Sequence, residues 1–383
     1  MSDLKTYLHQ DGPGPQLPVS SYFSEELYQK EMELIFQHTP LYLGHRLAVP
    51  EVGNYYALPQ ENEGRALVHN KNGIELISNV CRHRQAIMLR GRGTTGENIV
   101  CPLHRWTYKT DGQLIGAPHF DQNPCMNLQR FPVSEWNGLL FENHGRNISK
   151  DFEKLGPRAD LDFSGYVLDH VEQHVCNYNW KTFIEVYLED YHVGPFHPGL
   201  GNFVTCDDLT WEYGEEYSVQ RVGIANGLTK SGSDVYKKWQ EVVRNYRRNA
   251  GLPEVPPHGA IWLLYYPTLM IEWYPHVLVV SNLYPMGTQK TLNTVEFYYP
   301  EEIAAFERDF IEAERAAYME TCIEDDEIGE RMDIGRRALM ERGVSEVGPY
   351  QNPMENGMEQ FHLWYRKIMK EPAQQQTPRL AAE

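Results

Sequence analysis

No run of apolar residues in this 383-residue chain approaches the roughly 18 needed to cross a bilayer, which excludes a helical membrane span. The N-terminus, MSDLKTYLHQDGPGPQLP, lacks a basic stretch followed by an apolar one, so no signal peptide is expected and the chain reads as cytoplasmic. Cysteine is scarce. Six in a chain of this length do not make a disulfide framework, and without an export signal they are expected as reduced thiols or metal ligands. An excess of positive charge is also missing: 35 Lys and Arg face 53 Asp and Glu, a net charge of −18 that excludes a general nucleic-acid binder. There is no internal repeat, and the length suggests two or three domains, each able to bury its own core.

What is present changes in texture along the chain. Gly12, Pro13, Gly14, Pro15 and Pro18 mark the first twenty residues as a flexible lead-in. Ser24 reads as the N-cap of a helix running to about Phe36, with Glu25 and Glu26 in its first turn. Short strands and turns follow from Leu41 to about Phe141, with hairpin signals at Asn72-Gly73 and Asp111-Gly112. Beyond a polar connector, NWKTFIEVYLEDYHVG reads as a helix closed by Gly194-Pro195. Further helices are expected at 233–250, 301–320, 324–341 and 357–370, with three or four strands at 259–299. The fold class is α+β: a small antiparallel β domain followed by an antiparallel sheet with helices packed on it. The expected divisions are an N-terminal helical segment 1–39, a β domain 40–158, a second domain 159–370 and a flexible tail 371–383.

Two cysteines and two histidines sit at the hairpin tips of the first domain, as Cys81-x-His83 and Cys101-x-x-His104. Packing residues met by coincidence would not fall into two ordered pairs. A structural zinc site usually groups its cysteines together and its histidines together. Here each loop carries one of each kind. Two Cys on one iron and two His on the other is the ligand set of a Rieske [2Fe–2S] centre, in which the imidazoles lower the negative charge and raise the potential.

CRHR…CPLHRWTY resembles the Rieske domain of the ring-hydroxylating, Rieske non-haem iron oxygenase alpha-subunit family, with Leu103 where an aromatic residue is usual. A cluster that shuttles single electrons calls for a consumer in the same chain. His192 and His197, five apart around a Gly-Pro break, can both face one metal. The segment from Asn179 to His197 is similar to the N-W-K-x3-E-N-x-L-E-x-Y-H-x4-H pattern of the glycine-betaine and carnitine oxygenase branch, with Val186 in place of the usual Asn.

The resemblance implies a catalytic domain with a curved antiparallel sheet covered by helices (helix-grip, START-like). It implies a mononuclear Fe(II) held by His192, His197 and a late acidic residue. The D-x4-E pattern with Gly five further on gives Asp325, Glu330 and Gly335, and Asp326 remains an alternative. It further implies a bridging acid three residues before the first His, Glu189, which shares a helix face with His192; Asp190 is the weaker candidate. Expected partners are an NAD(P)H-dependent reductase, with or without a ferredoxin, and a homotrimer is the simplest assembly. Products would be a cis-diol, a monohydroxylated compound or a demethylated one, from an aromatic acid or a quaternary ammonium compound. Aromatic residues between Trp262 and Tyr299 could box a cationic head group, stack on a ring, or simply be core. The alternative function is an electron-transfer or redox-sensing Rieske protein. Finally, residues 81–109 carry six basic side chains against Glu97 alone, a local +5, and Arg90 and Arg92 flank Gly91 as candidate docking residues for an acidic electron donor.

Overall fold

The computed structural model of the chain describes residues 16–143 and 145–370. The expected flexible tail and most of the lead-in lie outside them. The last part of the lead-in is ordered: Val19–Tyr22 form a 3-10 turn in which Val19, Ser21 and Tyr22 are buried. Residues 39–149 form one compact unit, and the chain before and after them forms the other.

The smaller unit is built from short antiparallel strands. Five of them pair in the order Arg92–Thr94, Asn54–Ala57, Arg65–Asn70, Gly73–Ser78 and Arg130–Phe131. Both expected hairpins form. Gly73 at φ 114° and Gly112 at φ 88° supply the backbone conformations that side chains resist. Ala66, Val68, Ile77, Ile99, Trp106 and Tyr108 make one core with Cys81 and Cys101, the first residues of the loops 81–83 and 101–104.

The larger unit holds a seven-stranded antiparallel sheet. Its order is Tyr166–Cys176, Lys290–Pro300, Val277–Gly287, Leu269–Tyr274, Ala260–Tyr265, Tyr217–Ile224, Val204–Tyr213. Register shifts at Leu168/His170, Thr205/Thr210 and Pro285/Gly287 bend and twist the strands they interrupt. Residues 259–299 give four strands, as the alternation suggested.

Two helix expectations need correction. NWKTFIEVYLEDYHVG does not run as one helix to Gly194: the helix is Trp180–Tyr187, and Val193–Phe196 is a separate turn containing Pro195. The chain leaves the helix because the N–H of Asp190 is taken by the Met354 carbonyl at 3.0 Å and that of His192 by Glu189 Oε2 at 3.0 Å. Conversely, 301–320 and 324–341 are not two helices divided near residue 322. Glu301–Phe306 is short, and Arg308–Glu341 is one helix of 34 residues. The acidic run at 324–327 was read as a helix start, where carboxylates favour the dipole. It lies mid-helix: Glu324, Asp325 and Asp326 reach side chains of other elements, and Glu327 pairs with Arg331 one turn on.

The N-W-K segment acts as cement. Asn179 caps its helix through Lys181 N at 2.9 Å. Trp180 Nε1 donates to Glu31 at 3.0 Å, and Lys181 Nζ pairs with the same buried carboxylate at 2.6 Å. Four residues on, Glu185 receives Arg336 at 2.6 Å, His362 at 2.9 Å and the Tyr22 hydroxyl. These fully buried pairs tie the N-terminal segment, the long helix and the last helix to the stem that carries the two histidines. Removing one partner would leave an uncompensated buried charge.

Candidate functional site

The two cysteine–histidine loops share one backbone conformation. In each, the Cys carbonyl accepts from the residue four further on: Gln85 N–H at 3.0 Å for Cys81, Arg105 N–H at 3.1 Å for Cys101. Both of those residues are left-handed, at φ 52° and 61°, although neither is glycine. The Cys N–H groups then donate to the carbonyls of Ala86 at 2.9 Å and Trp106 at 2.8 Å. Cys81 and Cys101 are buried, and the rings of His83 and His104 approach to 4.6 Å between centroids. Trp106 stacks on His83 at 5.0 Å and 6°, fixing that ring.

Donors surround the sulfurs. The Tyr108 hydroxyl lies 3.6 Å from Cys81 Sγ. Burial pushes the Cys101 thiol up, while backbone N–H groups of Leu103 and His104 pull it back towards the thiolate. His83 Nδ1 is buried with no partner. Paired sulfurs with donors aimed at them, beside an imidazole nitrogen left open, suit an iron–sulfur cluster. Cys125 is exposed, and Cys176, Cys206 and Cys322 belong to the other unit.

In the larger unit, His192 and His197 bracket the short turn Val193–Phe196 and face the long helix. His197 Nε2 is 3.1 Å, and His192 Nε2 3.4 Å, from Asp325 Oδ1. One ligand atom from each of the three lies within 4.8 Å of the others. Burial opposes charge on His192, but Asp325 and Glu189 outweigh it and raise the imidazole to about 10. Burial likewise disfavours the Asp325 carboxylate, and the two imidazoles overcome it, holding that group below its usual range. The same electrostatic sink would hold a metal dication in place of those protons. Asp325 Oδ1 is buried without a well-formed hydrogen bond, which fits a metal position between the three side chains.

The remaining expected residues are placed as follows. Glu189 puts Oε1 2.7 Å from His192 Nδ1 and Oε2 on the His192 N–H. The contact is real, but its expected basis was not, since 188–192 is outside any helix. Asp190 is buried with Oδ2 unpartnered, and burial, then the neighbouring Glu189 charge, raise its carboxyl to about 8. Asp326 turns away and accepts from the Tyr178 hydroxyl at 2.7 Å. Glu330 and Gly335, which set the register, do not reach the triad. Arg90 and Arg92 are exposed.

Three features escaped the sequence reading. Glu324 Oε2 lies 2.7 Å from His197 Nδ1. Gly329 lets the Tyr178 ring lie against the long helix, where a Cβ would meet that ring at 2.9–3.0 Å. Beside the triad opens a cavity of about 930 Å³, counted with its mouth, walled by aromatic side chains that include Trp262 and Tyr274. Its acids are Glu189, Asp190, Glu272, Glu314 and Asp325, and no Lys or Arg lines it.

A [2Fe–2S] cradle in one unit and a two-His, one-carboxylate centre on a helix-covered sheet in the other define the oxygenase component of a Rieske non-haem iron system. Residues 42–132 match the Rieske [2Fe-2S] domain, and residues 161–371 match the ring hydroxylating alpha subunit catalytic domain. The chain belongs to the ring-hydroxylating oxygenase alpha-subunit family and carries both a Rieske cluster domain and a non-haem iron domain. It is 64% identical to a putrescine 2-hydroxylase of Ralstonia nicotianae over 96% of this chain and 100% of that one. It is 60% identical to a putrescine 2-hydroxylase of Bordetella bronchiseptica, over 97% and 88%. Among solved structures, a quaternary ammonium Rieske monooxygenase in complex with L-carnitine shares the fold at TM-score 0.71 and 20% identity, covering 93% of this chain and 96% of that one.

Proposed function

We propose that this chain is the terminal oxygenase of a multicomponent system and hydroxylates a carbon of a short primary amine or diamine. The observation that carries this reading is the cavity beside the triad, with five carboxyl groups and no basic side chain other than the two triad histidines. Such a lining disfavours an aromatic acid, whose carboxylate would be desolvated among like charges, and favours a cation. The names of the relatives at 60% identity and above, putrescine 2-hydroxylases, point the same way. The motifs alone point to aromatic acids and quaternary ammonium compounds; the acidic lining moves the expectation to a primary amine.

In this reading Cys81, His83, Cys101 and His104 hold the cluster, and His192, His197 and Asp325 hold the mononuclear iron. When bound, the two groups together supply electron transfer and oxygen activation. The chain's own residues do the rest. Glu189 fixes the His192 ring through Nδ1, and Glu324 fixes His197 in the same way, each leaving Nε2 for the metal. The aromatic walls exclude water and hold the alkyl chain. Glu189 is also the candidate link to a neighbouring subunit's cluster in a homotrimer. Electrons would come from an NAD(P)H-dependent reductase, directly or through a ferredoxin, which suits a cytoplasmic protein.

The test is aerobic turnover of the loaded protein with an electron source, on 1,4-diaminobutane, L-carnitine and naphthalene in parallel. Oxygen uptake coupled to a hydroxylated diamine is the expected result. Turnover of either of the other two with none of the diamine would overturn the reading.

A further inference from the structure

Strand Leu269–Tyr274 turns alternate residues Met270, Glu272 and Tyr274 to the cavity. Glu272 is buried, and among the described residues it has no ion pair. Its partners are two phenols: Tyr274 donates to Oε2 at 2.7 Å, and Tyr318 to Oε1 at 3.3 Å. Tyr274 in turn accepts from Trp262 Nε1 at 2.9 Å, so the carboxylate is oriented by a chain of aromatic donors. A desolvated carboxylate with two neutral partners is costly unless a cation joins it. Aromatic faces around such a group add to the attraction for an ammonium.

The long helix sets the distance. Glu314, Tyr318, Cys322 and Asp325 recur on one helical face, and all line the cavity. Tyr318 precedes Asp325 by two turns, about 10 Å along the axis, and its side chain leans further towards the helix start. The carboxylate it holds therefore stands on the order of 10 Å from the triad. An ammonium contact of about 2.8 Å and an extended four-carbon diamine of about 6 Å between nitrogens fill that span. Glu314 lies about 16 Å from Asp325 on the same measure, beyond the reach of so short a chain.

Resting on the amine reading above, we propose that Glu272, oriented by Tyr274 and Tyr318, holds the substrate ammonium distal to the triad and so sets the length of diamine accepted. Burial pushes the Glu272 carboxyl up to about 7. An unliganded Glu272 is thus poised between forms, and a bound ammonium drives it to the carboxylate.

The experiment is calorimetric binding of 1,4-diaminobutane and 1,5-diaminopentane to the anaerobic, metal-loaded full chain. Glu272→Gln keeps the shape and an acceptor for Tyr274, turns the contact with Tyr318 into an amide donor, and removes the charge. It should weaken diaminobutane at least about 30-fold, the worth of one charge-assisted contact, with the melting temperature and cluster spectrum unchanged. If the variant binds as tightly as the unmodified chain, Glu272 is a neutral structural acid and the proposal is wrong, although the amine reading stands. If the unmodified chain binds no diamine, the amine reading fails and takes the anchor with it. Should Glu272→Gln not fold, Glu272→Asp asks the same question by drawing the charge back one methylene. Its preference should shift from the four-carbon to the five-carbon diamine, and an unshifted preference overturns the proposal.

Discussion

Glu324 Oε2 lies 2.7 Å from Nδ1 of His197, one residue before the acid that faces the other nitrogen of the same ring. Neighbours on one helix thus clamp a single imidazole from both sides. Glu324→Ala should lower mononuclear iron affinity by about 10- to 100-fold, the usual effect of removing a partner behind a ligand. Iron retained against a graded chelator measures it, with the cluster spectrum as an internal control. Retention equal to the unmodified chain would remove Glu324 from this role.

Asp325 and Asp326 diverge by one helical step of about 100°, and that step separates two jobs. Asp325→Ala should lose the mononuclear iron and abolish turnover while leaving the cluster spectrum intact. Asp326→Ala should keep both, at a cost of about 1 kcal/mol in stability for the lost Tyr178 bond, discounted because the group is a third exposed. The reverse result would place the third ligand one residue later.

The cluster was legible because its ligands lie in two short motifs, although the loops that carry them, after Gly73–Ser78 and between Asn98–Val100 and Thr107–Lys109, are not the turns at Asn72-Gly73 and Asp111-Gly112. His192 and His197 were legible because the Gly-Pro break falls between them. Asp325 came only through a family pattern, since an acidic run in a helix ordinarily means dipole and solvent. Glu272 was invisible for another reason: in IEWYP a lone acid among strand residues gives no sign of which face it takes, or of the tyrosine 46 residues later that shares its cavity. Helix ends failed where groups distant in sequence took backbone N–H groups, as the Met354 carbonyl does at Asp190. A local pattern contains no record of such contacts.

His45 should govern the acid stability of the smaller unit. Its Nδ1 accepts from Leu47 N–H at 3.2 Å and its Nε2 faces the Asn137 carbonyl at 3.1 Å, so the buried ring is held neutral. Burial, only partly offset by that carbonyl, lowers it from 6.5 to about 3. The unfolded chain binds this proton below about 6.5 and the folded one does not until about 3, so stability falls as pH drops through that window. The difference is on the order of 5 kcal/mol. Urea unfolding of the unmodified chain and His45→Gln should show a flatter dependence in the variant between pH 6.5 and 4. Parallel curves would acquit His45. Gly138→Ala should destabilise the same spot at every pH, because the added carbon would sit 2.2 Å from the His45 ring at a φ of 82°.

Electron entry is the most exposed of the expectations. Arg90 is 84% exposed in its side chain, with Glu63 no closer than 4.0 Å. Glu63 is engaged elsewhere, accepting from Gly91 N at 2.8 Å, so it orders the turn more than it neutralises the arginine. Arg92 opens a three-residue strand at the edge of its sheet, also exposed. Arg84 and Arg105, beside the cluster loops, are exposed as well. The positive charge therefore faces solvent in a chain whose net charge is −18. If an acidic donor delivers the electrons, such an island would attract it over a surface that otherwise repels it. Arg90→Glu combined with Arg92→Glu should slow reduction by an acidic ferredoxin-type donor about tenfold or more, and leave dithionite reduction of the cluster unchanged. Because exposed charges are screened over about 10 Å at 0.1 M salt, the donor-driven rate of the unmodified chain should fall as salt rises, and that of the double variant should not. A donor rate indifferent to both salt and charge reversal would mean that electrons enter elsewhere.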